Sequence, residues 1–113
     1  MYLSLITLNR LNAPIKRHRV VEWIRKHDPH ICCLQETHLR TEDLHRLKVK
    51  RWKQIFQANG QEKKKSGVAI LISDKIDFKK RAIKRDPKGH FTILKGRIHQ
   101  EDIHIVNIYM HPI

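Results

Sequence analysis

Three short apolar runs close on polar side chains: Leu-Ile-Thr-Leu ends in Asn9, Ile-Cys-Cys-Leu-Gln ends in Glu36, and Ile-Val leads into Asn107 and Tyr109. A carboxylate in such a place can hold one hard cation, and an asparagine can orient a water or a phosphate oxygen. A tyrosine hydroxyl can donate to negative charge as it develops. Ligands of sheet proteins gather where strands end and loops diverge, so three such ends on one edge would bring these groups together. The alternative at each position is a polar residue where its strand meets solvent.

Other chemistries fit the residue pattern less well. Among the nine histidines, His18, His27, His30, His38 and His45 are not grouped with thiols at the spacing of a tetrahedral zinc site. The two cysteines, Cys32 and Cys33, are adjacent within an apolar run, which suits neither a disulfide framework nor a CxxC pair. Both are expected to be reduced, buried core residues.

The charge balance is lopsided, with 24 Lys and Arg against 11 Asp and Glu, a formal net charge of +13. A field of that sign concentrates polyanions, and each neutralised phosphate releases counterions, so nucleic acid is the first partner to consider. DNA is the expected polymer and RNA the alternative. The candidates for phosphate contact are Arg17, Arg19, Lys48, Lys50, Arg51, Lys63, Lys64 and Lys65. No stretch approaches the ~20 apolar residues of a membrane span, and the first residues do not have the layout of a secretory leader. The expected setting is therefore nuclear or cytoplasmic, without a membrane partner.

The elements that must position these groups follow from periodicity. Tyr2 to Asn9 reads as a strand, and Pro14 opens a helix to about His27 that turns Val20, Val21, Trp23 and Ile24 inward and Arg19, Glu22, Arg25 and Lys26 outward. Asp28-Pro29 stops the helix. Ile31 to Leu34 is a fully buried strand, and Thr41 to about Leu47 a short helix. Trp52 to Ala58 and Gly67 to Ser73 read as further strands. Lys80 to Lys84, His90 to Ile98 and Asp102 to Tyr109 form a meander with turns at Asp86-Pro87-Lys88-Gly89 and Gln100-Glu101. The order strand, helix, strand, helix, then strands predicts an α/β or α+β layer around a mixed or antiparallel sheet.

The segments "TLN", "HICCLQETHL", "GVAILIS" and "VNIY", in that order, resemble the endonuclease/exonuclease/phosphatase superfamily. Within it, "LNAPIKRHRVVEWIRKHDPHICCLQETHLRTEDLHRLKVK" and "GVAILISDKIDFK" are similar to the endonuclease domain of mammalian long interspersed element retrotransposons, relatives of apurinic/apyrimidinic endonucleases. The resemblance implies an α/β fold: residues 1–113 as the N-terminal half of a four-layer α/β sandwich, a mixed sheet with flanking helices. It implies Asn9, Glu36 and Tyr109 as active-site residues, with Glu36 the metal-binding carboxylate. The cofactor it implies is Mg2+, with Mn2+ as the alternative, and the reaction is hydrolysis of a DNA phosphodiester that nicks one strand.

Several departures from the family pattern set further expectations. The Gly-Asp-Phe-Asn segment, a further aspartate and the Ser-Asp-His motif that supplies the catalytic histidine are not among these residues, and His111 follows "NIYM" out of register with any of them. Positioned acids and bases each contribute about 10² to 10⁴ in rate, so these residues alone are expected to have no appreciable nuclease activity. The loop after Asn9 is shortened, with Arg10 where relatives have a longer Asn-Gly turn. A half domain is also expected to expose one apolar sheet face and to associate with another chain. The competing readings are a basic remnant that holds nucleic acid without sequence preference and a decayed element copy without selected function.

Overall fold

A computed structural model describes residues 3–7, 14–35, 37, 49–59 and 67–108. The first strand, β1 (Leu3–Thr7), precedes α1 (Pro14–His27), which takes the proline in its first turn, where a missing N–H costs nothing. Its last turn carries Arg25, Lys26 and His27, cations that complement the carbonyl end of the helix dipole. The helix stops at Asp28, whose φ of 51° lies in the left-handed region. The N–H of Asp28 donates to the Ile24 carbonyl at 2.8 Å, a left-handed cap ahead of Pro29.

After the helix come β2 (Ile31–Gln35), β3 (Gln54–Asn59) and β4 (Gly67–Ile72), then β5 (Phe78–Arg85), β6 (Phe91–Ile98) and β7 (Glu101–Ile108). The first four strands make a mixed sheet in the order β1-β2-β4-β3, with β1 and β2 parallel and the other pairs antiparallel. The last three make an antiparallel meander, β5-β6-β7. The helix predicted from Thr41 to Leu47 lies outside the described residues.

The two sheets and the helix form three layers, and burial explains the sequence of each. Cys32, Leu34, Ala69 and Leu71 face the helix and pack on Val20, Ile24, Val49 and Trp52. The alternate residues Ile31, Cys33, Ile70 and Ile72 face the second sheet and pack on Phe78, Leu94, Ile98 and Ile105. Strands β2 and β4 are thus covered on both faces and read as unbroken apolar runs. Strand β6 is covered on one face and alternates along its length. Truncating any one of the large side chains at this centre, such as Leu34 or Ile70, would cost about 2–5 kcal/mol.

The expectation of a sheet face left without a partner is corrected here. These residues carry strands of both sheets, and the inner faces cover each other. The large apolar side chains that stay exposed among the described residues, Leu3, Val106 and Ile108, belong to β1 and β7, which are edge strands.

Two backbone details fix the meander. A methyl group at Gly96 would enter the ring of Phe78 and come within 2.6 Å of the Lys79 carbonyl oxygen, so glycine makes room for the aromatic ring beside the bulge at Lys80/Ala82. The β6-β7 turn is His99-Gln100, one residue earlier than the predicted Gln100-Glu101, because Ile98 pairs with Glu101. Both turn residues have positive φ, 50° and 68°, as a tight two-residue hairpin requires.

Candidate active site

Because β1 and β2 run parallel, with Thr7 opposite Gln35, their C-terminal ends open on the same side of the sheet. The beginning of β4 is there too: the Thr37 N–H donates to the Gly67 carbonyl at 3.0 Å. The end of β7 is tied to this place from the other sheet. The Gln35 side-chain amide donates to the Ile108 carbonyl at 2.8 Å and to Asn107 Oδ1 at 3.3 Å. The Asn107 amide in turn donates to the carbonyls of Leu34 and Ala69, each at 3.1 Å, two residues that face one another across β2 and β4. Strands β2 and β7, 73 positions apart in sequence, are therefore joined by side-chain hydrogen bonds, and β1 ends beside β2 through the ladder.

Asn9, Glu36 and Tyr109, the three residues expected to do chemistry here, lie outside the described residues, as do Lys48, Lys63, Lys64 and Lys65. Their chain neighbours are described. Gln35 and Thr37 flank Glu36, Ile108 precedes Tyr109, and Thr7 stands two residues before Asn9. Asn107 has a different role from the one its strand-end position suggested. It is 2% exposed, and its amide is committed to the bonds just described, so it clamps the two sheets together. Its periodicity on β7 hinted at burial, but its partners lie too far away in sequence to be read there.

Thr37, one residue past Glu36, is completely buried, and its hydroxyl finds no hydrogen-bond partner among the described residues. Leaving such a group unpaired costs about 1–3 kcal/mol. The thiols of Cys32 and Cys33 are not nucleophiles here. Burial, with the adjacent Cys33 adding to it, pushes the first up to about 12, and burial pushes the second up to about 11. Thiols held this far above neutral pH stay protonated.

The described donors at the strand ends are amides and hydroxyls. Among the described residues, no three His, Cys, Asp or Glu side chains come together as a metal set.

Of the expected phosphate contacts, the four that are described do not gather in one place. Arg17 and Arg19 sit in the first half of α1, the half that follows the end of β1, with Arg19 exposed and Arg17 half-buried. Lys50 and Arg51 lie just before β3, at the opposite end of the sheet.

Residues 7–107 match the sequence model of the Endonuclease/Exonuclease/phosphatase family. The chain belongs to this family. Nucleases of the superfamily generally use divalent metal ions.

Solved structures share the family fold. The AP endonuclease LMAP from Leishmania major superposes with a TM-score of 0.71 at 14% identity, covering 94% of this chain and 38% of that one. Truncated TDP2 from Caenorhabditis elegans gives a TM-score of 0.64 at 20% identity, covering 88% of this chain and 41% of that one. The endonuclease domain of TRAS1, a telomere-specific non-LTR retrotransposon, gives 0.60 at 14% identity, covering 95% of this chain and 44% of that one. This chain thus spans less than half the length of each of these three structures. No helix among the described residues is long and apolar enough to cross a membrane.

Proposed function

We propose that the chain carries the strand-end half of a phosphodiesterase site that acts on DNA, of the endonuclease type found in retrotransposons and in apurinic/apyrimidinic endonucleases. The observation that supports this most is the joining of β2 and β7 through the Gln35 and Asn107 amides, with β1 paired to β2 beside them, because the residues next in the chain are Glu36 and Tyr109, with Asn9 two residues beyond β1. In this reading Glu36 is the carboxylate that takes Mg2+, or Mn2+ in its place. Asn9 orients a phosphate oxygen or water, and the Tyr109 hydroxyl donates to charge near the scissile phosphate. The metal would supply Lewis acidity toward a phosphoryl oxygen. The neutral amides of Gln35 and Asn107 hold the ends of β2 and β7 together without adding charge there.

The same reading makes these 113 residues an incomplete catalyst. One carboxylate binds Mg2+ weakly unless substrate oxygens and water complete the shell. The site also needs a general base, which the rest of the domain in longer relatives would have to provide. Supercoiled plasmid with Mg2+ tests both parts. The expected result is no nicking by the chain or by Glu36→Ala. Clear nicking that disappears in Glu36→Ala would overturn the incompleteness, and nicking that persists in Glu36→Ala would overturn the site itself.

A further inference from the structure

The mixed sheet has a second end, where β2 begins and β4 finishes. There the last turn of α1 supplies Arg25 and Lys26, and the turn before β3 supplies Lys50 and Arg51. With Asp28 and Trp52 these four line an open cavity of about 460 Å³. Liquid water occupies about 30 Å³ per molecule, so the space admits far more than a bridging water. Four cations surround it with one carboxylate among them, and that carboxylate, Asp28, is already paired with the Lys75 ammonium. Among the described residues, none of the four cations has a carboxylate partner.

Cations in a last helical turn ordinarily complement the helix dipole, which accounts for Arg25 and Lys26 taken alone. It does not account for Lys50 and Arg51, which come from a different segment of the chain. Arg51 is held with φ at 76°, a left-handed backbone that disfavours any residue with a Cβ. Its carbonyl is fixed there by the Asp74 N–H at 2.7 Å. Glycine is the residue such a position favours, and an arginine in its place puts a guanidinium at the mouth of the cavity.

We propose that this cleft binds backbone phosphates of a nucleic acid, at a site separate from the strand ends. Strand β2 alone sets about 13 Å between the two, at about 3.3 Å per residue. Recognition is of phosphate and not of bases. Trp52 is 3% exposed and its N–H is spent on the Pro29 carbonyl at 2.9 Å, so it offers no face for stacking. The cleft therefore holds a polymer without reading its sequence, and it positions a DNA segment that passes the far end of the sheet.

The test measures binding of the full chain to a short fluorescein-labelled DNA duplex by anisotropy, between about 50 and 200 mM salt. Two double variants empty the cleft, Arg25→Ala with Lys26→Ala and Lys50→Ala with Arg51→Gly. A third, Lys79→Ala with Lys84→Ala on β5, removes the same charge elsewhere. Each cleft variant is expected to flatten the log–log salt dependence by about two units and to lose about tenfold in affinity, with the β5 variant losing much less. Arg51→Gly alone should bind more weakly while its Tm stays level or rises, which separates lost contact from lost folding. Equal losses from the cleft and β5 variants would overturn the proposal, leaving net charge as the cause. So would cleft-dependent binding to phosphatidylserine vesicles in place of the duplex, which would make the partner a membrane surface. The salt slope of the cleft variants tests the cleft alone, and Glu36-dependent cation binding tests the strand-end site alone, so the two succeed or fail independently.

Discussion

At one end of the mixed sheet Asn107 and Gln35 spend their amides on the carbonyl oxygens of Leu34, Ala69 and Ile108, while at the other Arg25, Lys26, Lys50 and Arg51 stand exposed around a cleft. The first arrangement is neutral and directional, and its Asn107 bonds to Leu34 and Ala69 are buried. Every bond in it constrains where a strand ends, and uncharged bonds are not screened by salt. The second is charged and solvated, attracts at long range and is screened within about 8–10 Å at ordinary ionic strength. Chemistry at a phosphorus atom needs placement to a fraction of an ångström, whereas holding a polymer needs only charge of the right sign at roughly the right spacing. The difference teaches how one small sheet can serve both needs at its two ends.

The contrast breaks most visibly at the amide clamp. Asn107→Ala would remove the three hydrogen bonds that its amide makes with Leu34, Ala69 and Gln35, each contributing about 0.5–1.5 kcal/mol, so a total destabilisation of about 3 kcal/mol is expected. Urea denaturation measures it, and the loss should be the same at low and high salt. A loss that shrank with added salt would mean that the two ends are not built differently. At the opposite end the comparable bond is Trp52 to Pro29. Trp52→Phe keeps most of the ring but removes the donor, and a smaller cost of about 1–2 kcal/mol is expected by the same measurement.

The smallest effect has the opposite sign. Arg51→Gly relieves a left-handed backbone and should stabilise the chain by about 1 kcal/mol, read as a rise in Tm. Arg51→Lys keeps both the charge and the Cβ and should give no such gain. If the two variants behaved alike, the backbone would not be the origin of the effect.

Much of the fold was legible because single segments carried it. Pro14 at the start, the Val20/Ile24 stripe and Asp28-Pro29 at the end delimit α1 without reference to anything distant. Ile31 to Leu34 read as a fully buried strand and Gly67 to Ser73 as a further strand, and the structure covers β2 and β4 on both faces. The β6-β7 turn was misplaced by one residue because His99-Gln100 has none of the Asn-Gly chemistry that marks a hairpin with positive φ at both positions. The facing of the two sheets was not legible either. It depends on which alternate residues of β2 and β4 meet Phe78, Leu94 and Ile105, and no local pattern states that.

The candidate site divides in the same way. Polar residues at the ends of apolar runs can be seen in one dimension, and their meeting cannot, because Asn107 reaches partners 73 and 38 positions away. The roles proposed for Asn9, Glu36 and Tyr109 come from family resemblance, and the described strands that lead to them are paired, β1 with β2, or hydrogen-bonded, β2 with β7. The cleft was half visible. Lys50 and Arg51 stood out as a charge run, while Arg25 and Lys26 looked like the solvated face of a helix, and only the packing of α1 against the turn before β3 puts the four together.

The central claim is that the ends of β1, β2 and β7 surround a cation site that depends on Glu36. Titrating Mn2+ into the isotopically labelled chain and following paramagnetic broadening of backbone amides tests it most directly. The account predicts that the amides of Thr7, Gln35, Thr37 and Ile108 broaden first, that Mg2+ reverses the effect, and that Glu36→Ala abolishes it. Broadening that instead centres on exposed acids such as Asp74, Asp77 or Asp102, or that survives Glu36→Ala, would contradict it.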